Sequence, residues 1–172
     1  MAIRSILTAP DPRLKTVCDP VPGVDDDLRA LMDDMLDTMY DAPGIGLAAI
    51  QIGVPKRVLV LDVAREDEGR RPQYFVNPEI VWVSDDDVSA EEGCLSVPEH
   101  YADVIRPAEV KVRALDYDGT AREVHADGLL AVCLQHEIDH LNGILFVDHL
   151  TALKRNMILR KLLKVKKQKV SA

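Results

Sequence analysis

The sequence holds little that an extracellular or membrane-embedded protein would need. Three cysteines, Cys18, Cys94 and Cys133, are an odd number at irregular spacing, which excludes a complete disulfide framework. No apolar run approaches the length of a membrane-spanning helix. The opening "MAIRSILTAPDPRLK" lacks an apolar core of signal-peptide length and meets a proline-rich turn within its first ten residues. These absences set the expectation of a cytoplasmic protein with reduced thiols. Internal repeats and low-complexity segments are lacking too. At 47% apolar and 29% charged residues, the composition is that of an ordinary globular chain. Its 172 residues suffice for one domain with its own core.

Acidic residues are missing from one end. From Thr151 onward there are eight Lys or Arg and no Asp or Glu, although the whole chain carries 29 acidic and 21 basic residues and a net charge of −8. The preceding 150 residues therefore hold 29 acidic and 13 basic side chains (21 less eight), or −16. We expect a single catalytic domain over 1–150, with residues 151–172 forming a basic helix appended to it.

Apolar residues at Leu28, Leu31, Met32, Met35, Leu36, Met39 and Tyr40 follow the period of an amphipathic helix. Asp25 to Asp27 supply its cap and Pro43-Gly44 its stop. "KRVLVLDV", "YFVNPEIVWVS", "EVKVRALDYDG" and "AREVHA" read as strands, the last two joined by an Asp118-Gly119 turn. They succeed one another without intervening helices, which favours antiparallel sheets over βαβ units. "LLAVCLQHEIDHL", from Leu129 to Leu141, reads as a helix stopped by Asn142-Gly143, and a last basic helix starts near Thr151. The expected fold is α+β. Antiparallel β-sheets pack around a central helix bearing H-E-x-x-H, with an N-terminal helix before the strands and a basic C-terminal helix at the end.

His136 and His140, four residues apart, share one helix face about 6 Å apart along the axis, so both can bind one metal ion. Glu137, offset around the helix, can then reach a water on that ion. Two histidines still need a third protein ligand. The extension H-E-x-x-H-x-x-G-x-x-H matches as far as Gly143 but ends on Phe146, and no glutamate follows Glu137. Asp148 and His149 sit on a segment that must turn away after Gly143. Cys133 would lie roughly 7 Å back along the axis, beyond a cysteine's reach, and reads as core or pocket wall. Cys94 in "EEGCLSVP" remains, set beside glycine and glutamates instead of inside an apolar run. Cys-His-His with an open fourth position is a catalytic arrangement, since structural sites close with four protein ligands.

Three stretches, "GIGLAAIQIG" (44–53), "EGCLSVP" (92–98) and "QHEIDHLNG" (135–143), together resemble the signature motifs of the bacterial peptide deformylases, in the same order. "PDPRLK" and the helix before Gly44 extend the resemblance over almost the whole chain. It implies an enzyme that removes the formyl group from the N-terminal formylmethionine of nascent polypeptides and releases formate. The implied metal ligands are Cys94, His136 and His140, with Glu137 as general acid and base. Gln51 and the Leu95 backbone N–H would stabilise the oxyanion after water activated by the metal attacks the formyl carbon. The implied cofactor is one divalent ion, Fe2+ in the cell, with Zn2+, Ni2+ or Co2+ as substitutes.

The backbone near Ile45 and Gly46 would hold the peptide in an extended pose, and Gly93 is a further substrate-binding candidate. Ile45, Leu129, Val132 and Cys133 are candidates for an apolar methionine pocket. Glu92 and Arg106 are candidates for a supporting ion pair near Cys94. The basic tail has two readings, a solvated helix face or docking to the ribosome through its RNA, with Leu153, Met157, Ile158, Leu162 and Leu163 as anchors. Neither a membrane nor DNA is an expected partner. Two other classes remain at this point: an H-E-x-x-H metallopeptidase, and a non-catalytic metal-stabilised module that binds ribosomes.

Overall fold

Three aspartates start the first helix, α1 (Asp26–Asp41): Asp25 accepts the Leu28 backbone N–H at 2.8 Å, and Asp26 and Asp27 lie in the first turn. The helix stops at Ala42, before Pro43. The strands follow as β1 (Gly46–Ala48), β2 (Val58–Leu61), β3 (Gln73–Val83), β4 (Asp87–Cys94), β5 (Val97–Pro107), β6 (Val110–Leu115) and β7 (Ala121–Ala126). Helices α2 (Gly128–Leu141) and α3 (Ala152–Ser171) complete the chain. This computed structural model describes residues 2–171, with side chains described through Lys169.

Five strands form an antiparallel sheet in the order β1-β2-β3-β6-β7, and β4 and β5 pair separately as a two-stranded ribbon. The two faces of the sheet are both covered. Val58 and Val60 of β2 join Met32, Met35 and Met39 of α1 in one apolar cluster. Leu59 and Leu61 face the other way, with Phe75 and Val112, toward Leu134, Ile138 and Leu141 of α2. Burial on both sides explains why β2 is the unbroken apolar run "VLVL".

Helix α2 is consequently buried almost all round, including His136, Glu137 and His140. It ends where expected. Gly143 takes φ +75°, and a Cβ there would run into the Lys15 carbonyl oxygen. The strands expected from "KRVLVLDV", "YFVNPEIVWVS", "EVKVRALDYDG" and "AREVHA" are β2, β3, β6 and β7. The β4–β5 ribbon and the short β1 were not anticipated. Most of β4 is exposed, and β5 turns the charged Arg106 inward, so neither shows apolar alternation.

Helix α3 starts as expected, with Thr151 Oγ1 accepting the Lys154 N–H at 3.3 Å. Its anchors differ from the five expected. Ile158, Leu159 and Leu162 pack on Leu14, Val97 and Phe146, and Lys166 donates to the Thr8 carbonyl at 2.6 Å on the same face. Leu153, Met157 and Leu163 are exposed, because helical periodicity carries them away from that face. Among the described residues no helix is long and apolar enough to cross a membrane.

Candidate metal centre and active site

Cys94 ends β4 and His136 and His140 occupy successive turns of α2, so the ribbon and the helix must meet for the three to converge. They do meet. One ligand atom from each lies within 4.8 Å of the others, and Cys94 Sγ is 3.3 Å from His140 Nε2. Cys133 is outside this group and buried, its Sγ 3.9 Å from the Ile45 carbonyl oxygen.

The surroundings suit a cation held by three protein atoms. His136 donates Nδ1–H to Glu92 Oε1 at 2.9 Å, which leaves Nε2 available to a cation. Burial opposes charging His136, but the Cys94 sulfur and Glu92 carboxylate outweigh it and hold its pKa well above the ordinary value. A place that stabilises a proton between a sulfur and a carboxylate also stabilises a metal ion. Burial instead keeps His140 neutral, with His136, Arg106 and Lys15 pushing the same way, so its imidazole is available as a ligand. Two side-chain atoms buried beside this cluster, His140 Nδ1 and Glu137 Oε2, have no partner among the described residues.

Glu137 lines the cleft next to the cluster, its Oε1 3.7 Å from His136 Nε2. Desolvation pushes its carboxyl up to about 7, against the pull of His136 and with the help of Glu92. Gln51 is buried on the 3-10 turn after β1. Its Oε1 accepts the Ala48 N–H at 2.9 Å, while Nε2 lies 3.0 Å from Ser96 Oγ and 3.6 Å from Cys94 Sγ. Its amide nitrogen is thereby aimed at the metal cluster.

A cleft of about 600 Å³ opens onto these groups. Gln51, Cys94, Leu95, His136 and Glu137 line its inner part. Val132 and Cys133 form an apolar wall, and Ile45 and Leu129 stand half exposed at the rim. Gly46 and Gly93 come from β1 and β4, which are edge strands paired on one side only. A Cβ on Gly46 would lie 3.0 Å from both Cys133 Sγ and the Glu137 side chain, so the cleft is shaped around its absence. The sequence-derived site residues all meet at this cleft except His140, which lies behind it.

The family model described as polypeptide deformylase matches residues 3–156. The chain belongs to the peptide deformylase family. A peptide deformylase of Phenylobacterium zucineum (strain HLK1) is 65% identical over 164 residues, covering 95% of this chain and 97% of that protein. The crystal structure of the peptide deformylase from Ehrlichia chaffeensis superposes with a TM-score of 0.93 at 42% identity, covering 98% and 99% of the two chains. That from Legionella pneumophila gives 0.90 at 50% identity, covering 99% of each. Deformylases hydrolyse the formyl amide of N-formylmethionine at the start of nascent peptides, and they are metalloenzymes. Cys94, His136 and His140 form a cluster that could hold the metal.

The expected pair of Glu92 and Arg106 is present, bidentate at 2.6 and 2.9 Å. The contact from Glu92 to His136 was not foreseen, nor were the roles of Ser96 and Asp139. Ser96 and Asp139 stand inside two of the quoted motifs, and nothing else in the sequence marks them.

Proposed function

We propose that Cys94, His136 and His140 hold one divalent cation, Fe2+ in the cell with Zn2+, Ni2+ or Co2+ able to replace it, and that this site deformylates nascent peptides. When bound there, the cation acidifies water and draws electron density from the formyl carbonyl. Glu137 accepts the proton of the attacking water and returns it to the departing amine, a double role suited to a carboxyl titrating at about 7. Gln51 Nε2 and the Leu95 backbone N–H receive the oxyanion that develops on the formyl oxygen. The edges of β1 at Gly46 and of β4 at Gly93 hold the extended peptide backbone. Ile45, Leu129, Val132 and Cys133 enclose the methionine side chain.

The convergence of three candidate ligand atoms beside a buried carboxylate, one of whose oxygens has no partner among the described residues, carries this reading. The catalytic domain spans 1–150, with α3 appended to it. The protein acts in the cytoplasm, and the basic helix docks on ribosomal RNA near the emerging substrate, with neither membrane nor DNA as a partner. An anaerobic preparation should contain about one equivalent of metal and release formate from formyl-Met-Ala-Ser. Failure of the iron-loaded protein to release formate would overturn the assignment.

A further inference from the structure

The ion pair between Glu92 and Arg106 continues outward to the surface. Arg106 uses Nε and Nη2 on Glu92, and its Nη1 donates to Asp139 Oδ2 at 2.9 Å. The same oxygen is 2.8 Å from His149 Nε2, and since a carboxylate only accepts, the ring carries its proton on Nε2. At the other end Glu92 Oε1 accepts His136 Nδ1–H. One chain of hydrogen bonds thus runs from His149, 35% exposed, through Asp139, Arg106 and Glu92 to His136.

These residues come from separate parts of the fold. Helix α2 packs on β1 and β2, whereas the β4–β5 ribbon packs on itself and on the 3-10 turn Phe146–His149. Cys94 belongs to the ribbon and the two histidines to the helix, so their relative placement depends on what joins the two. Beside the direct contacts of His136 with Glu92 and of Gln135 with the Pro107 carbonyl, Arg106 makes such a join, reaching from β5 to Glu92 in β4 and to Asp139 in α2. Its guanidinium is planar and its donors are fixed in direction, so the orientation of Asp139 feeds into that of Glu92. Asp139 is itself partly exposed, and His149 is the second side-chain donor on its Oδ2. The turn that carries His149 also places the Phe146 ring 6.2 Å from the His136 ring, nearly parallel. It therefore supports His136 both by direct packing and through the hydrogen-bond chain.

We propose that His149 is a positioning residue for the metal centre, fixing the Nδ1 hydrogen bond of His136 through Asp139, Arg106 and Glu92. The inference rests on the metal site proposed above. It assigns a role in that site to a residue beside the base of α3 that touches neither ligand nor substrate.

The test loads the full-length protein with cobalt(II) and follows its release to a chelator, together with the visible absorption spectrum of the bound ion. His149→Gln keeps an amide donor near the position of Nε2, while His149→Phe keeps a planar ring and loses the donor. Outer hydrogen-bond partners of ligands alter metal affinity by roughly 10- to 100-fold, and this residue lies further out, so His149→Phe should release cobalt about 3- to 10-fold faster and shift the spectrum. His149→Gln should stay within about twofold of the unsubstituted protein on the same basis. Equal release by His149→Phe and the unsubstituted protein would overturn the proposal. So would a His149→Gln variant as fast as His149→Phe, which would reduce the residue to packing. If the unsubstituted protein holds no stoichiometric cobalt, the metal site falls, and this role with it. A site that binds cobalt but ignores all His149 changes removes the role alone.

Discussion

Glu137 and Cys94 show what single residues contribute. Glu137 is almost fully buried, and one of its oxygens has no partner among the described residues, an arrangement costly to fold and useful for moving protons. Glu137→Gln should keep stoichiometric metal while formate release falls by roughly 10²–10⁴-fold; retained turnover would remove its acid–base role. Cys94→Ala should lose stoichiometric metal and Cys133→Ala should keep it, as read by metal analysis, and the reverse would transfer the ligand role to Cys133. That Cys94 would join His136 and His140 was legible from the sequence, because the competing candidates could be eliminated one at a time. The Glu92 interaction with His136 was not, since 44 residues separate them and only the fold brings them together.

Away from the site, Asp34 links α1 to the N-terminal segment. The Arg4 guanidinium lies 2.7 Å away, and with the Ala2 N–H it holds the Asp34 carboxyl below the ordinary carboxylate range. A folded-state pKa below the unfolded one stabilises the protein above the unfolded value, about 3.9, and that stability is lost as pH falls through the folded value. Asp34→Asn should therefore lower the melting temperature at pH 7, and the gap should close as the pH drops below about 4. A gap independent of pH would assign the effect to packing.

At the scale of elements, helices were easier to read than strands. α1, α2 and α3 announce themselves by caps, stops and apolar period, and strands β2, β3, β6 and β7 by β-branched runs. The β4–β5 ribbon escaped because it is shaped for the site. It buries Glu92 and Arg106, charged residues where a core strand would show Val or Ile, and Ser96 in the turn between its strands. Fold-level patterning fails where function overrides it. Even α3 was legible only in outline, because its apolar residues outnumber those that reach the core. Leu162 is buried against the cluster around Phe146, while Leu153 is 72% exposed. Leu162→Ala should destabilise the fold by about 2–3 kcal/mol in chemical denaturation, and Leu153→Ala by less than about 0.5 kcal/mol. Equal effects would show that α3 does not pack as described.

For the whole molecule, charge is the organising feature. An acidic body repels a polyanion, so the proposed nucleic-acid contact falls to α3. Inward packing fixes that helix in place: Ile158, Leu159 and Leu162 lie against the body, and Lys166 donates to Thr8. Lys154, Arg160, Lys161 and Lys164 remain exposed. Truncation after Leu150 would confuse charge with folding, since it uncovers the apolar cluster that Leu162 seals. Reversing charges on the exposed face avoids this. Arg160→Glu, Lys161→Glu and Lys164→Glu together should leave the melting temperature and formate release near those of the unsubstituted protein while weakening ribosome co-sedimentation. If these side chains pair with RNA phosphates, the dependence of log affinity on log salt should also flatten, by roughly 0.7–0.9 for each phosphate no longer neutralised. A variant that co-sediments as the unsubstituted protein does, with the same salt slope, would leave α3 as a solvated face whose work is done by its buried side alone.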